Sequence, residues 1–357
     1  MSTTNRRHAL QTIAGALALP LAATTTRAYN HAKKPIKVGQ IGVGHAHASK
    51  LSVFRNSPDY EVVGIVEANE TLRNQAKEEK AYQDLPWMTA EQLLNTPGLE
   101  LVLVETRVKD LLNTAESCIA AGKHIHLDKP AGSSLPQFRR ILDNAAQQKL
   151  LVQMGYMYRY NPGIVLLHEV LKKGWLGDPF EVHAVMSKVV SSEGRQRMSL
   201  QPGGTMFELG CHLIDLVFGV LGTPDKVNAY PRQVITDDNL VDNMLAVFEY
   251  PKATATIKSS AVEVEGFSRR HFVVCGTEGT FHIQPLDDPA VRVAFSSAHG
   301  KYKRGYQDIQ FPEYIRYVDD AVDIAKIIRN EKPTDYTYQH DLAVQTAILQ
   351  ASDLPLS

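Results

Sequence analysis

The chain has 357 residues, 44% of them hydrophobic and 22% charged, the balance of an ordinary globular protein with two domains or one large one. Lysine and arginine total 38 against 39 acidic residues, and a net charge of −1 gives no bulk attraction to nucleic acid or to an anionic membrane. Cys118, Cys211 and Cys275 are far apart with no CxxC pair, which excludes a disulfide scaffold or a thiolate zinc site as the organising principle.

Residues 1–28 read as an address rather than as fold. Arg6 and Arg7 follow a polar start, and a mostly apolar run extends from Ala9 to Ala23. The run is short of the ~20 apolar residues of a membrane span and is interrupted by Pro20, so no stable span is expected. Thr26-Arg27-Ala28 places small residues at both ends of a cleavage tripeptide. The segment resembles a twin-arginine export signal, which carries folded proteins, and the expected location is periplasmic or exported. A disordered tail with a chance arginine pair is the alternative.

Residues 34–153 alternate strands and helices. Ile36 to Ile41 is an apolar run entering the turn Gly42-Val43-Gly44-His45-Ala46-His47, with a helix expected from about Ala48 to Arg55. Residues 61–67 read as a second buried strand ending in Glu67, 25 positions beyond Gly42. Strand, glycine turn, helix, strand and terminal acid form the βαβ dinucleotide fingerprint. Gly42 allows the tight turn, and Gly44 lets backbone amides approach a pyrophosphate. Glu67 would accept from ribose hydroxyls and repel a 2′-phosphate, favouring NAD over NADP; Arg73 could bind that phosphate instead. His47 stands where the third glycine of G-x-G-x-x-G belongs, so the motif alone leaves open a general α/β domain with a glycine-rich loop. Helices at 90–94, 111–121 and 135–148, and strands at 99–104, 123–127 and 150–154, continue the alternation.

Five blocks then carry a family resemblance. Ala120-Ala121-Gly122-Lys123-His124-Ile125-His126-Leu127-Asp128-Lys129-Pro130 resembles the aGkHv…EKP signature of the glucose–fructose oxidoreductase/inositol 2-dehydrogenase/MocA family. Tyr158-Arg159-Tyr160-Asn161-Pro162, Lys173-Gly174-Trp175-Leu176-Gly177, the run from Gly203 to Asp215, and Gly276-Thr277-Glu278-Gly279-Thr280 are similar to later blocks, in family order. The resemblance implies a Rossmann domain (34–153) followed by an α/β substrate-binding and oligomerisation domain (154–357) with a large, mostly antiparallel open sheet. It further implies a nicotinamide dinucleotide and a sugar, polyol or related substrate. Three positions depart from the pattern: Asp128 and Glu208 exchange the usual carboxylate lengths, and His47 replaces a glycine.

Lys129 would sit at the carboxyl end of a parallel strand, where open α/β sheets bind ligands. A desolvated ammonium there can stabilise a developing alkoxide; without the resemblance, a surface lysine before a turn proline is the favoured reading. His212 falls on a helix expected over 205–221, with Glu208 at i−4 and Asp215 at i+3 on one face. A neutral imidazole with pKa near ~6.5 suits removal of a hydroxyl proton. Glu208 could orient it or hold a second hydroxyl, and Asp215 is expected to pair with a buried arginine. Lys129, His212 and Glu208 are thus the candidate catalytic set, joined by Tyr156 and Arg159 as substrate contacts. Gly42, Gly44, His45, Ala46, His47, Glu67, Arg73, Glu105, Thr106, Asp128 and Lys129 are the candidate cofactor contacts.

The pairs His45/His47 and His124/His126 raise a metal hypothesis, but His124 opens its strand far from the loop, so no metal site is expected. Beyond Tyr156 a helix at 161–173 precedes strands at 180–187, 242–250, 254–261, 270–275 and 279–283, which suggests a mostly antiparallel sheet. Residues 189–202 read as a loop covering substrate with Lys188, Arg195 or Arg197. Helices are expected at 314–329 and 339–352. Alternating Val, Phe and Ile would leave an apolar sheet face, so a dimer or tetramer is expected. Three functions stay open: a dehydrogenase of a carbohydrate hydroxyl; a glycoside-cleaving enzyme with tightly bound NAD that oxidises a ring hydroxyl transiently; and a catalytically silent binding or assembly subunit.

Overall fold

The computed structural model describes residues 33–357, so the export-signal expectation lies outside the described residues. Chain order in the first half is β1 (Ile36–Ile41), a 3₁₀ turn (Ala48–Lys50) running into α1 (Leu51–Asn56), β2 (Tyr60–Val66), α2 (Glu70–Ala76), α3 (Ala90–Leu94), β3 (Leu99–Val104), α4 (Val108–Ala120), β4 (His124–Leu127), α5 (Leu135–Gln148) and β5 (Val152–Met154). The five strands form a parallel sheet in the order β2-β1-β3-β4-β5. Leu101 to Val104 are buried without break because helices cover both faces, which is why the sequence shows a continuous apolar run there. A capping box between Thr89 and Gln92 starts α3, and the Ser134 side chain caps α5.

The second half comprises α6 (Pro162–Lys172), β6 (Pro179–Ser187), α7 (Ser192–Ser199), a π-helical turn (Met206–Gly210) continuous with α8 (Cys211–Leu221), then β7 (Lys226–Arg232), β8 (Asn243–Glu249), β9 (Thr254–Ser260), β10 (His271–Gly276), β11 (Gly279–Ile283), β12 (Val291–Phe295), β13 (Gly305–Ile309), α9 (Val318–Ile328) and α10 (Tyr338–Ala351). Its eight strands order as β13-β12-β11-β10-β6-β9-β8-β7, antiparallel except for the β6–β9 pair. This is the Rossmann sheet plus large open sheet that the sequence implied. No helix among the described residues is long and apolar enough to cross a membrane.

Four expectations are corrected. Residues 189–202 contain α7, begun by the Ser191 side chain accepting from the Gly194 amide, where an aperiodic loop was expected. The strands β7, β12 and β13 were missed; β7 and β13 are the sheet's two edges, carrying Pro231 and the polar Gln307-Asp308, where strand patterning is weakest. The helix expected from 314 starts at Val318, because Tyr317 takes a left-handed φ of 69°. Helix α9 moreover belongs with the first core, not the second: Ala321, Ile324 and Ala325 pack with Ile36, Phe54 and Tyr60.

The open sheet face is also less apolar than expected. Met244, Phe248, Ile257, Phe272, Val274, Phe281 and Ile283 all point inward and are buried. On the outer face Asn228, Val247, Thr256, His183, Val273, His282, Arg292 and Asp308 align in register across all eight strands. All are at least partly exposed. The face mixes polar and apolar groups because strand alternation sends the larger hydrophobes to the core.

Candidate active site

The glycine turn leaves β1 where backbone must pass backbone. Gly42 has φ of +95°, and a Cβ there would collide with the main chain of Glu105 and Thr106 at the end of β3. A Cβ on Gly44 would lie 2.9 Å from Arg107 Cγ. The Val43 amide donates to Glu67 Oε2 at 2.9 Å, and the Asn69 amide donates to Oε1 at 2.8 Å. Glu67 therefore stands over the turn at the end of β2, as a ribose-binding acid must. Arg73 donates to the Glu67 carbonyl at 3.0 Å, which holds its guanidinium beside that acid. Thr106 Oγ1 is buried in the wall of the turn with no partner among the described residues. A cradle that only glycine permits, an acid 25 positions on, and an orphaned hydroxyl fit a dinucleotide.

Behind the turn lies a buried charge network. Asp128 Oδ2 accepts from Lys50 Nζ at 2.6 Å and lies 3.1 Å from His45 Nδ1. Its Oδ1 lies 3.2 Å from His47 Nδ1 and accepts the Lys129 amide at 2.7 Å. Glu105 sits 3.0 Å from Lys50 Nζ, with His126 Nδ1 at 3.7 Å and His45 Nδ1 at 3.9 Å. Burial, reinforced by Asp128, pushes the Glu105 carboxyl well above its usual range. Asp128 goes the other way: burial opposes its charge, but His45, Lys50 and His47 hold it well below the usual range. Both side chains are fully buried. The Glu105 and Asp128 side chains thus brace the glycine turn from behind. The two His-x-His pairs also meet more closely than expected, since His126, not His124, reaches Glu105.

Lys129 precedes a cis bond to Pro130 just beyond β4, and its buried Nζ crosses to the second domain. It donates to the Glu208 carbonyl at 2.8 Å and lies 3.6 Å from Glu208 Oε1. Burial opposes the ammonium, but Glu208, Cys211 and Asp128 raise its pKa above the ordinary lysine value. The site therefore presents a permanent cation. The carbonyl that receives Lys129 belongs to the π-helical turn, where the helical ladder is locally broken. Sequence periodicity missed this turn. The signal was in the glycines: Gly203 and Gly204 adopt φ of +87° and +57°, and a Cβ on Gly210 would collide with Met206 Sδ.

His212 is 3% exposed, and its Nδ1 has no hydrogen-bond partner among the described residues. Its ring lies 5.9 Å from His47, 6.1 Å from Tyr156 and 5.1 Å from Tyr158. Burial, with Lys129 and His47 nearby, drives its pKa well below the ordinary histidine value, so the expected value near ~6.5 is corrected. The imidazole is held neutral, and its Nδ1 is sealed from solvent.

The π turn also separates residues expected on one face. Asp215 turns away from Glu208 and takes Arg159: Arg159 Nη2 lies 2.6 Å from Asp215 Oδ1 and 2.6 Å from Asp341 Oδ1. The guanidinium is stacked 3.7 Å from the Tyr336 ring centroid and 4.9 Å from that of Tyr156. Asp215 finds its expected arginine, and the buried Arg159 guanidinium is shared between two carboxylates. Tyr156, 2% exposed, is a wall behind His212.

A cleft of about 400 Å³ opens beside Glu208, lined by Gly44, His45 and Ala46, by Arg107 and Lys109, by Lys188 and Arg197, and by Glu208 itself, with Lys129 and His212 buried outside that lining. Arg195 is elsewhere: it ties α7 to Asp238 and Asp242 at 2.6 and 3.0 Å. Two groups bring metal-type ligand atoms within 4.8 Å of one another, His45/His47/Asp128 and Asp215/His340/Asp341. Each already contains a fixed cation, Lys50 or Arg159, that compensates the carboxylate charge a metal would need.

Comparison with known proteins agrees with this architecture. Residues 36–156 match a family model described as an oxidoreductase family with NAD-binding Rossmann fold, and residues 164–282 match the GFO/IDH/MocA C-terminal domain. Trans-1,2-dihydrobenzene-1,2-diol dehydrogenase of Sus scrofa is 26% identical over 60% of this chain and 65% of its own length. The chain thus matches just under two thirds of that relative. Inositol 2-dehydrogenase of Agrobacterium fabrum is 27% identical over 71% of this chain and 74% of its own. Among solved structures, UDP-N-acetylglucosamine 3-dehydrogenase from Acidithiobacillus ferrooxidans shares the fold, with a TM-score of 0.74 at 19% identity over 90% of this chain and 98% of its own.

Proposed function

Because the chain belongs to the Gfo/Idh/MocA oxidoreductase family, we propose that it is a dehydrogenase acting on a hydroxyl carbon of a sugar, polyol or related carbohydrate. The observation that carries the reading is the meeting of Lys129, Glu208 and His212 beside the glycine turn. Gly42, Gly44 and Glu67 would hold the dinucleotide, with Arg73 at its ribose end. NAD, when bound, supplies the acceptor for the hydride.

The chain's own groups manage the proton and the oxygen. The Lys129 ammonium stabilises the oxygen as it becomes an alkoxide. The neutral imidazole of His212 takes the hydroxyl proton. Glu208 holds Lys129 from one side and reaches the cleft, where it can accept from a neighbouring hydroxyl.

Nicotinamide absorbance with a carbohydrate panel, beside the NAD(H) content of the purified protein, tests this reading. Absorbance change with at least one polyol or sugar supports it; none with a fully NAD-loaded protein contradicts it. The same reading places the protein outside the cytoplasm through residues 1–28, and Arg6→Lys with Arg7→Lys should then trap the precursor inside. It also pairs copies through the open sheet, so a concentration-independent monomer by sedimentation would contradict that part.

A further inference from the structure

The cleft is cationic beyond what a dinucleotide explains. Arg107, Lys109, Lys188 and Arg197 line it against a single lining carboxylate, Glu208. These cations divide by position. Arg107 and Lys109 start α4 directly opposite Gly44, where the pyrophosphate of a dinucleotide would pass. Lys188 comes from the end of β6, and its electrostatic neighbours are Arg270, Glu208, Lys129 and Arg197, the catalytic end of the cleft.

Lys188 is half-buried, and its ammonium makes no ion pair or hydrogen bond among the described residues. The other cations around it are spent. Arg270 is bound to Asp287 at 2.9 Å, Lys129 to the Glu208 carbonyl at 2.8 Å, and Arg197 to Glu193 at 2.5 Å. Burial, then Arg270, lowers the Lys188 pKa, and Glu208 opposes them incompletely. A partly desolvated ammonium without a counter-ion is costly unless a ligand supplies one.

Resting on the dehydrogenase reading, we propose that the substrate is an anionic sugar derivative whose carboxylate or phosphate is received by Lys188 at the mouth of the catalytic end. The anion would sit on the side of Glu208 and Lys129, away from the glycine turn. Recognition of this kind excludes neutral sugars by leaving Lys188 unpaired, which is how a half-buried charge confers specificity.

Calorimetric titration of the NAD-saturated protein tests this with three probes that differ only at C6: D-glucose, D-glucuronate and D-glucose 6-phosphate, and the same trio in the galactose series. At least one anionic probe should bind 10-fold or more tightly than its neutral parent. The tighter of the two anions identifies the group as carboxylate or phosphate. Lys188→Met should reduce the preference to within about twofold, while Lys188→Arg should keep it. Equal or tighter binding of the neutral sugars, binding of none of the anions, or a preference that survives Lys188→Met would overturn the proposal. Oxidation of a neutral sugar without anion preference removes this inference and leaves the dehydrogenase reading intact; failure to bind NAD removes that reading instead.

Discussion

His47 and Asp128 are hydrogen-bonded to each other, Nδ1 to Oδ1 at 3.2 Å, and they are two of the three positions at which the chain departs from its family's pattern. The imidazole occupies the place of a glycine and the shortened carboxylate meets it. The same carboxylate accepts the Lys129 amide at 2.7 Å, so the pair sets the backbone from which the Lys129 side chain springs.

A double-mutant cycle follows from that relationship. His47→Ala and Asp128→Asn should each lower stability, and the double variant should lose less than the sum by about 0.5–3 kcal/mol, the range for groups in contact. Urea titration of the four proteins measures it. Strict additivity would mean that the two residues act independently.

The sequence made the Rossmann half legible because its strands are buried on both faces and its glycine turn has a steric cause. Lys129, His212 and Glu208 were legible as a set through the family blocks. Their contact was not: it runs through a main-chain carbonyl freed by a π turn, and side-chain spacing at 3.6 residues per turn cannot express that. The double pairing of Arg159 was hidden for a different reason. Its second partner, Asp341, lies 182 residues away, and nothing local announces it. The edge strands β7 and β13 escaped because edges carry polar residues and proline.

The pH dependence of turnover is set by two opposite shifts. His212 is held well below its ordinary pKa, so it stays a competent acceptor as pH falls through 6.5. Lys129 is held above 10.5, so it stays charged as pH rises. The rate of hydride transfer should therefore be flat from about pH 6 to 9, with the acid limb well below that of an unperturbed histidine. An acid limb centred near ~6.5 would mean that another histidine is the acceptor.

Asp320 offers a stability test away from the cleft. Burial pushes its pKa from 3.8 to about 8, and its Oδ1 has no partner among the described residues. Between those values the folded state holds a proton that the unfolded state has lost, so stability falls as pH rises, by about 1.4 kcal/mol per unit. Asp320→Asn removes that titration. The variant should gain on the wild type by on the order of 3 kcal/mol between pH 5 and pH 8, read from urea melts at the two values. A difference independent of pH would show that Asp320 is ionised in the folded state.

Glu67 should decide the cofactor. Its carboxylate, held by the Val43 and Asn69 amides, faces ribose hydroxyls and would repel a 2′-phosphate, while Arg73 stands ready to receive one. Wild-type protein should bind NAD more tightly than NADP, and Glu67→Ser should narrow or reverse the order. Tighter NADP binding by the wild type would assign the recognition to Arg73.

The most direct measurement is single-turnover nicotinamide absorbance with His212→Ala, Lys129→Ala and the double variant, on any carbohydrate that the wild type oxidises. A positioned acid or base contributes about 10²–10⁴-fold, so each single variant should lose at least ~10² in hydride transfer while NAD affinity and the thermal melt stay near wild type. The double variant should lose far less than the product, since both groups serve one proton-transfer step. Full hydride transfer by a folded, NAD-loaded His212→Ala protein would contradict the account.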